Sequence, residues 1–180
     1  AIALQCASMA FMVPLGLGIA ATVRVGNAYG RADAEGIRKA GWTAFALGVG
    51  FMALATILFL TTGPVIVTWF LDPRLAENAN ALALAATFLV VAGVFQLVDG
   101  AQVVAAHALR GLSDTKIPML LAILGYWGIG LPTSYLLGLV LGWGGVGIWI
   151  GLAAGLAFVA VVLVTRFALR ERLGLLPVSG

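Results

Sequence analysis

The chain alternates between long apolar stretches and short segments that carry its charge. A helix needs about 20 consecutive apolar residues to cross roughly 30 Å of hydrocarbon. Stretches of that length without a charged residue lie at 1–23, 40–71, 117–141 and 146–165, and a fifth, 79–109, is interrupted by a single acid, Asp99. Residues 82–98 and 148–164 are apolar almost all round. A membrane strand would instead alternate apolar and polar residues over about ten positions, and an isolated strand in lipid leaves its backbone groups unpaired. The pattern therefore predicts an all-α fold, a polytopic membrane helix bundle of about five transmembrane helices. The second stretch is long enough to tilt, or to carry a re-entrant or interfacial end near Gly63 and Pro64.

Composition closes the soluble alternative. Of 180 residues, 62% are hydrophobic and 9% charged, with a mean hydropathy of +1.11, whereas a soluble domain carries roughly 25% charged residues. The net charge of +3 does not point to nucleic acid, because the basic residues sit between the spans and not on one soluble face. If the first loop is cytoplasmic, that side collects Arg24, Arg31, Arg38, Lys39, Arg110, Lys116, Arg166, Arg170 and Arg172, and Arg74 alone falls on the other. The positive-inside rule then predicts a multi-pass protein of the cell inner (plasma) membrane, N-terminus outside and C-terminus cytoplasmic. The chain opens on Ala1 within an apolar span, with neither Met nor a basic leader, and five spans is an odd number for transporters built from paired repeats. Both features predict that sequence upstream is missing. The single cysteine, Cys6, has no partner for a disulfide or metal site and reads as a small core residue.

Asp99 is the candidate for chemistry. A carboxylate near mid-membrane costs at least about 2.5–3.5 kcal/mol, so its presence there points to function. At about 100° per residue, Gln96, Asp99, Gln102 and His107 fall within one sector of the third helix, opposite Val90, Val94, Val98 and Ala105. Such a stripe suits a helix with one face on a water-filled cavity and the other against helices or lipid. There Asp99 would exchange a proton at physiological pH, or hold Na⁺ as the only metal ion this pattern suggests. The competing reading is a carboxylate paired with a donor on another helix and holding the bundle together. Gln96 and Gln102 suit helix-to-helix hydrogen bonding as well as a cavity lining, and His107, one turn before Arg110, suits an interfacial position as well as a proton relay. Pro14 and Pro132 each remove a backbone donor and stand beside glycines, so they are candidate bends. The spacings Gly26–Gly30, Gly147–Gly151 and Gly151–Gly155 allow close helix contact. One His, one Cys and no phosphate-binding glycine loop leave no constellation for an enzyme or a cofactor.

The run Phe11-Met12-Val13-Pro14-Leu15-Gly16-Leu17-Gly18, followed by Val23-Arg24-Val25-Gly26-Asn27-Ala28-Tyr29-Gly30, resembles the eighth helix and following loop of multidrug and toxic compound extrusion (MATE) transporters. Phe95-Gln96-Leu97-Val98-Asp99-Gly100-Ala101-Gln102, continuing through Leu109-Arg110-Gly111-Leu112-Ser113-Asp114-Thr115-Lys116, is similar to the tenth helix of the NorM-like branch. Tyr126–Pro132 and Gly147–Leu152 look like helices eleven and twelve. The resemblance implies that residues 1–180 are a partial C-terminal lobe, helices eight to twelve of a two-lobed, twelve-helix antiporter, with the N-lobe and the first C-lobe helix absent. It implies export of organic cations or other amphipathic compounds against inward Na⁺ or H⁺, with Asp99 at the position of a C-lobe cation-binding acid. The partners expected are membrane lipid, an amphipathic small-molecule substrate and the missing N-lobe of the same chain. A lipid-linked oligosaccharide flippase of related architecture would carry cations inside its cavity, and the apolar stretches contain no Lys or Arg. A non-transporting membrane scaffold is the remaining alternative.

Overall fold

The structure is a computed structural model describing residues 2–68 and 79–177, all helix and short turns. Helix α1 (Ile2–Gly30) and α2 (Ala34–Thr68) are followed by α3 (Ala79–Gly111). The fourth span is composite: α4 (Lys116–Ile123), a π turn (Leu124–Gly130), α5 (Leu131–Tyr135) and a second π turn (Leu136–Val140). Helix α6 (Gly144–Ala168) closes the chain. Among the described residues, five helical segments, Ala7–Gly30, Ala34–Thr62, Val91–Gly111, Lys116–Val140 and Gly144–Ala168, are long and apolar enough to cross a membrane, in line with the five apolar stretches of the sequence. The 72–77 loop with Arg74 lies outside the described residues, as does the side chain of Cys6.

The helices outrun the apolar stretches. Helix α1 continues seven residues past position 23, and α2 begins six before position 40. Hydrophobicity marks the hydrocarbon boundary, whereas a helix ends where its terminal carbonyls and amides find other partners. After α1 the Asp33 N–H reaches the Ala28 carbonyl (2.9 Å) and the Ala32 N–H that of Tyr29 (3.0 Å), with Ala32 left-handed at φ 54°. This is a Schellman stop. The same pattern recurs after α3, where the Asp114 and Ser113 N–H groups bond the Leu109 and Arg110 carbonyls (3.0 Å each) and Ser113 has φ 60°. Asp33 then starts α2, its Oδ1 accepting the Gly36 N–H at 2.8 Å. No re-entrant end forms at Gly63 and Pro64, because α2 stays helical through them to Thr68.

Helices α1, α2 and α3 pack mutually, α6 lies against α3, and the fourth span packs against α6. Val25, Ile37, Leu109, Leu112, Val159, Leu163 and Phe167 build a common core where α1, α3 and α6 end and α2 begins. The basic residues predicted to share one side therefore do share one end of the bundle. Gly147, Gly151 and Gly155 of α6 are buried against the fourth span, as their spacing predicts. Gly26 lies near the Gly111 carbonyl, but Gly30 meets nothing, so that pair is not a shared contact face.

A Cβ on Gly155 would stand 2.6 Å from the Gly125 oxygen and 2.8 Å from the Gly130 Cα. Backbone cannot rotate away, so overpacking should cost about 1–3 kcal/mol. Gly155→Val in the full-length protein is expected to lower its thermal unfolding midpoint in detergent. An unchanged midpoint would mean that the fourth span is free to move off α6.

The two prolines behave differently. Helix α1 runs without interruption through Pro14, which is fully buried at the crossing with Gly48 of α2. Before Pro132 the chain instead widens into the π turn that ends at Gly130. The missing proline N–H and the clash of its ring with the carbonyl four residues earlier fall within this widened turn, a recognised way for a helix to absorb such a defect.

Candidate functional site

The predicted polar stripe on α3 divides in three dimensions. Asp99 and Gln102 are half-buried, whereas Gln96 and His107 are buried. Gly93 lies against Thr56 and Phe59, and Gly100 against Met52, so this face of α3 is pressed onto α2. Thr56 strengthens the contact, its hydroxyl donating to the Met52 carbonyl (2.7 Å) or the Gly93 carbonyl (2.6 Å). Gln96 is 2% exposed, and neither its amide nitrogen nor its oxygen has a hydrogen-bond partner among the described residues.

His107 packs at the α1 crossing instead of lining open space. A Cβ on Gly18 would stand 3.0 Å from its ring, Nδ1 is 2.8 Å from the Val103 carbonyl of its own helix, and Nε2 is 3.5 Å from an Arg110 guanidinium nitrogen. The Thr22 hydroxyl reaches the His107 carbonyl at 2.9 Å. Gly18 leaves a notch in α1 that the imidazole fills.

Asp99 occupies a different flank. One turn before Asp99, Phe95 makes an edge-to-face contact with Trp149 of α6, with centroids 5.5 Å apart. That contact ties the α3 turn bearing the carboxylate to the helix that carries the fourth span. No cluster of three or more His, Cys, Asp or Glu residues occurs among the described residues.

A buried amide without partners costs about 1–3 kcal/mol. Gln96→Leu is therefore expected to raise the unfolding temperature of the full-length protein. A fall would mean that the amide gains a partner from the rest of that protein.

Comparison with known proteins agrees with the helical arrangement. The crystal structure of the eukaryotic MATE transporter AtDTX14 superposes with a TM-score of 0.79 at 21% identity, over 97% of this chain and 40% of that one. A "Probable multidrug resistance protein NorM" from Brucella suis biovar 1 is 58% identical over 167 residues, which is 93% of this chain and 36% of the relative. The "Multidrug resistance protein NorM" of Burkholderia vietnamiensis is 52% identical over 169 residues, 94% of this chain and 37% of its own length. The chain thus spans little more than a third of the curated relatives it matches. The MatE family model matches residues 1–136, from α1 through α5 to the first residue of the second π turn, and on that match the chain belongs to the MatE family.

Proposed function

We propose that this chain forms part of the C-terminal lobe of a multidrug efflux transporter, a cation-coupled antiporter that exports organic cations or other amphipathic compounds by alternating access. The observation that carries the reading is Asp99, a half-buried carboxylate at mid-span of an apolar helix, where an ionisable group is costly unless it is used. Family membership and the NorM relatives support the transport class.

In this mechanism Asp99 binds H⁺ or Na⁺ as the coupling ion. Ion binding neutralises the carboxylate and favours one arrangement of the lobes, while the outgoing compound favours the other, and their differential affinities couple the two movements. Asp99 takes or releases the ion; Phe95 and Trp149 position its helix turn against α6. Gln102 lies on the same flank, and the π turn that contains Tyr126 and ends before Pro132 supplies the deformable segment. Gln96 and His107 act as packing groups between helices. The orientation proposed for the plasma membrane places the basic bundle end in the cytoplasm, following charge bias.

The full-length protein in proteoliposomes tests the proposal. It is expected to move a fluorescent organic cation against its gradient when an opposing Na⁺ or H⁺ gradient is applied, and to stop when both gradients are collapsed. Uptake that ignores both gradients would sink the antiport mechanism.

A further inference from the structure

A cleft of about 620 Å³ opens between α1 and α2, away from Asp99, and its walls change character along its length. At the basic end of the bundle it is lined by Arg24, Arg31 and Lys39. Toward the middle of the bundle the lining becomes Leu17, Ala20, Ala44 and Leu47. Alanine on facing turns of both helices leaves a trough where larger residues would have met. The cleft's one acid, Asp33, is already engaged by the Gly36 N–H and lies 4.0 Å from Arg31. Lys39 has an exposed partner in Glu35 at 3.5 Å, and Arg24 forms no ion pair among the described residues. Three cations and one acid leave the lining with a surplus of two positive charges.

Arg24 precedes Arg31 by two helical turns, about 10 Å along the axis, so positive charge follows the cleft inward to the edge of the apolar trough. This arrangement repels an organic cation and attracts a phosphate. A free phosphate would use the basic end alone, whereas an anionic phospholipid fills both parts. Basic pockets between membrane helices on the cytoplasmic side suit such head groups.

We propose that this cleft holds an anionic phospholipid, with its phosphate among Arg24, Arg31 and Lys39 and one acyl chain along the trough of Leu17, Ala20, Ala44 and Leu47. The inference rests on the helices spanning a bilayer and is independent of drug transport.

The test uses full-length protein reconstituted in nanodiscs of equal phosphatidylglycerol and phosphatidylcholine, with retained lipids counted by native mass spectrometry. Wild type is expected to retain phosphatidylglycerol in preference on the order of tenfold, and R24Q/K39Q to lose that preference. Ala20 is exposed on the cleft wall, so Ala20→Phe fills the trough without entering the core. It should keep the wild-type unfolding temperature and also lose the retained lipid. Inorganic phosphate in excess should leave retention unchanged. The inference is overturned by a wild type with no preference, by an undiminished preference in R24Q/K39Q or in a folded Ala20→Phe, or by displacement with inorganic phosphate. A wild type that pumps drug normally yet shows no preference would overturn it and leave the transport reading intact.

Discussion

Asp99→Asn in the full-length protein is expected to reduce gradient-driven efflux of a fluorescent organic cation by about 5- to 150-fold, the range that a coupling free energy of 1–3 kcal/mol implies, at matched membrane levels. The substitution keeps the size and hydrogen-bonding capacity of the side chain and removes only its charge and its ability to exchange an ion. Because Asp99 is only half-buried, whereas Gly93 and Gly100 make the tight contacts with α2, the variant should retain its unfolding temperature. A structural carboxylate gives the opposite pattern. If Asp99 only paired with a donor to hold helices together, Asn would lower stability or assembly and leave the efflux of the surviving protein intact. Efflux unchanged at wild-type stability would move the coupling acid to a part of the protein beyond this chain. Asp99→Glu completes the set, since a retained carboxylate should restore some gradient dependence if charge is what matters.

The second large effect is expected at the basic end of the bundle. Arg166 Nε donates to Asp114 Oδ2 at 2.6 Å, with side-chain exposures of only 18% and 8%. The pair joins the turn after α3 to the last turn of α6, and it exists because the Schellman stop after Leu109 sets Asp114 against α6. Removing one partner strands the other in a site that water barely reaches, which costs about 3 kcal/mol or more. Asp114→Asn and Arg166→Gln are each expected to lower the stability of the full-length protein, as read from denaturant or thermal unfolding in detergent. The double variant should lose less than the sum of the two, because neither charge is then left alone. Additive losses below about 1 kcal/mol each would instead place this pair with exposed ion pairs of little consequence. Nearby, Arg170 is 3% exposed, donates to the Phe167 carbonyl at 3.0 Å and lies over the Phe167 ring at 4.9 Å. Through these contacts the C-terminal tail folds against the same core, with Leu175 and Leu176 packed on it.

The charge bias groups Arg166 and Arg170 at one end of the bundle but reveals neither contact. Arg166 and Arg170 satisfy the charge bias, yet each is also a structural group. Arg24 is a similar case, since the apolar stretch stops before it while α1 continues to Gly30. It was legible as one of the charges grouped at one end of the bundle but not as the inner edge of a cleft.

By itself the sequence determined the number of spans, the all-helical class, the grouping of basic residues at one end, the family and the mid-span acid. These depend on composition and on the free energy of moving apolar or charged groups into hydrocarbon, quantities that add along a chain regardless of what lies beside each residue. Only the tertiary structure decided which polar residues share an environment. Gln96, Asp99, Gln102 and His107 occupy one helical sector, but glycines at 18, 93 and 100 bring α1 and α2 close enough to bury Gln96 and His107, and Asp99 and Gln102 stay partly open. The glycine pattern in α6 could be read as permissive, but not which backbone it would meet. Pro14 and Pro132 look alike in sequence, and packing made one a buried contact within a continuous helix and the other the end of a π turn. Contact between helices depends on their separation and rotation, which are set by side chains far apart in sequence, so no local pattern encodes it.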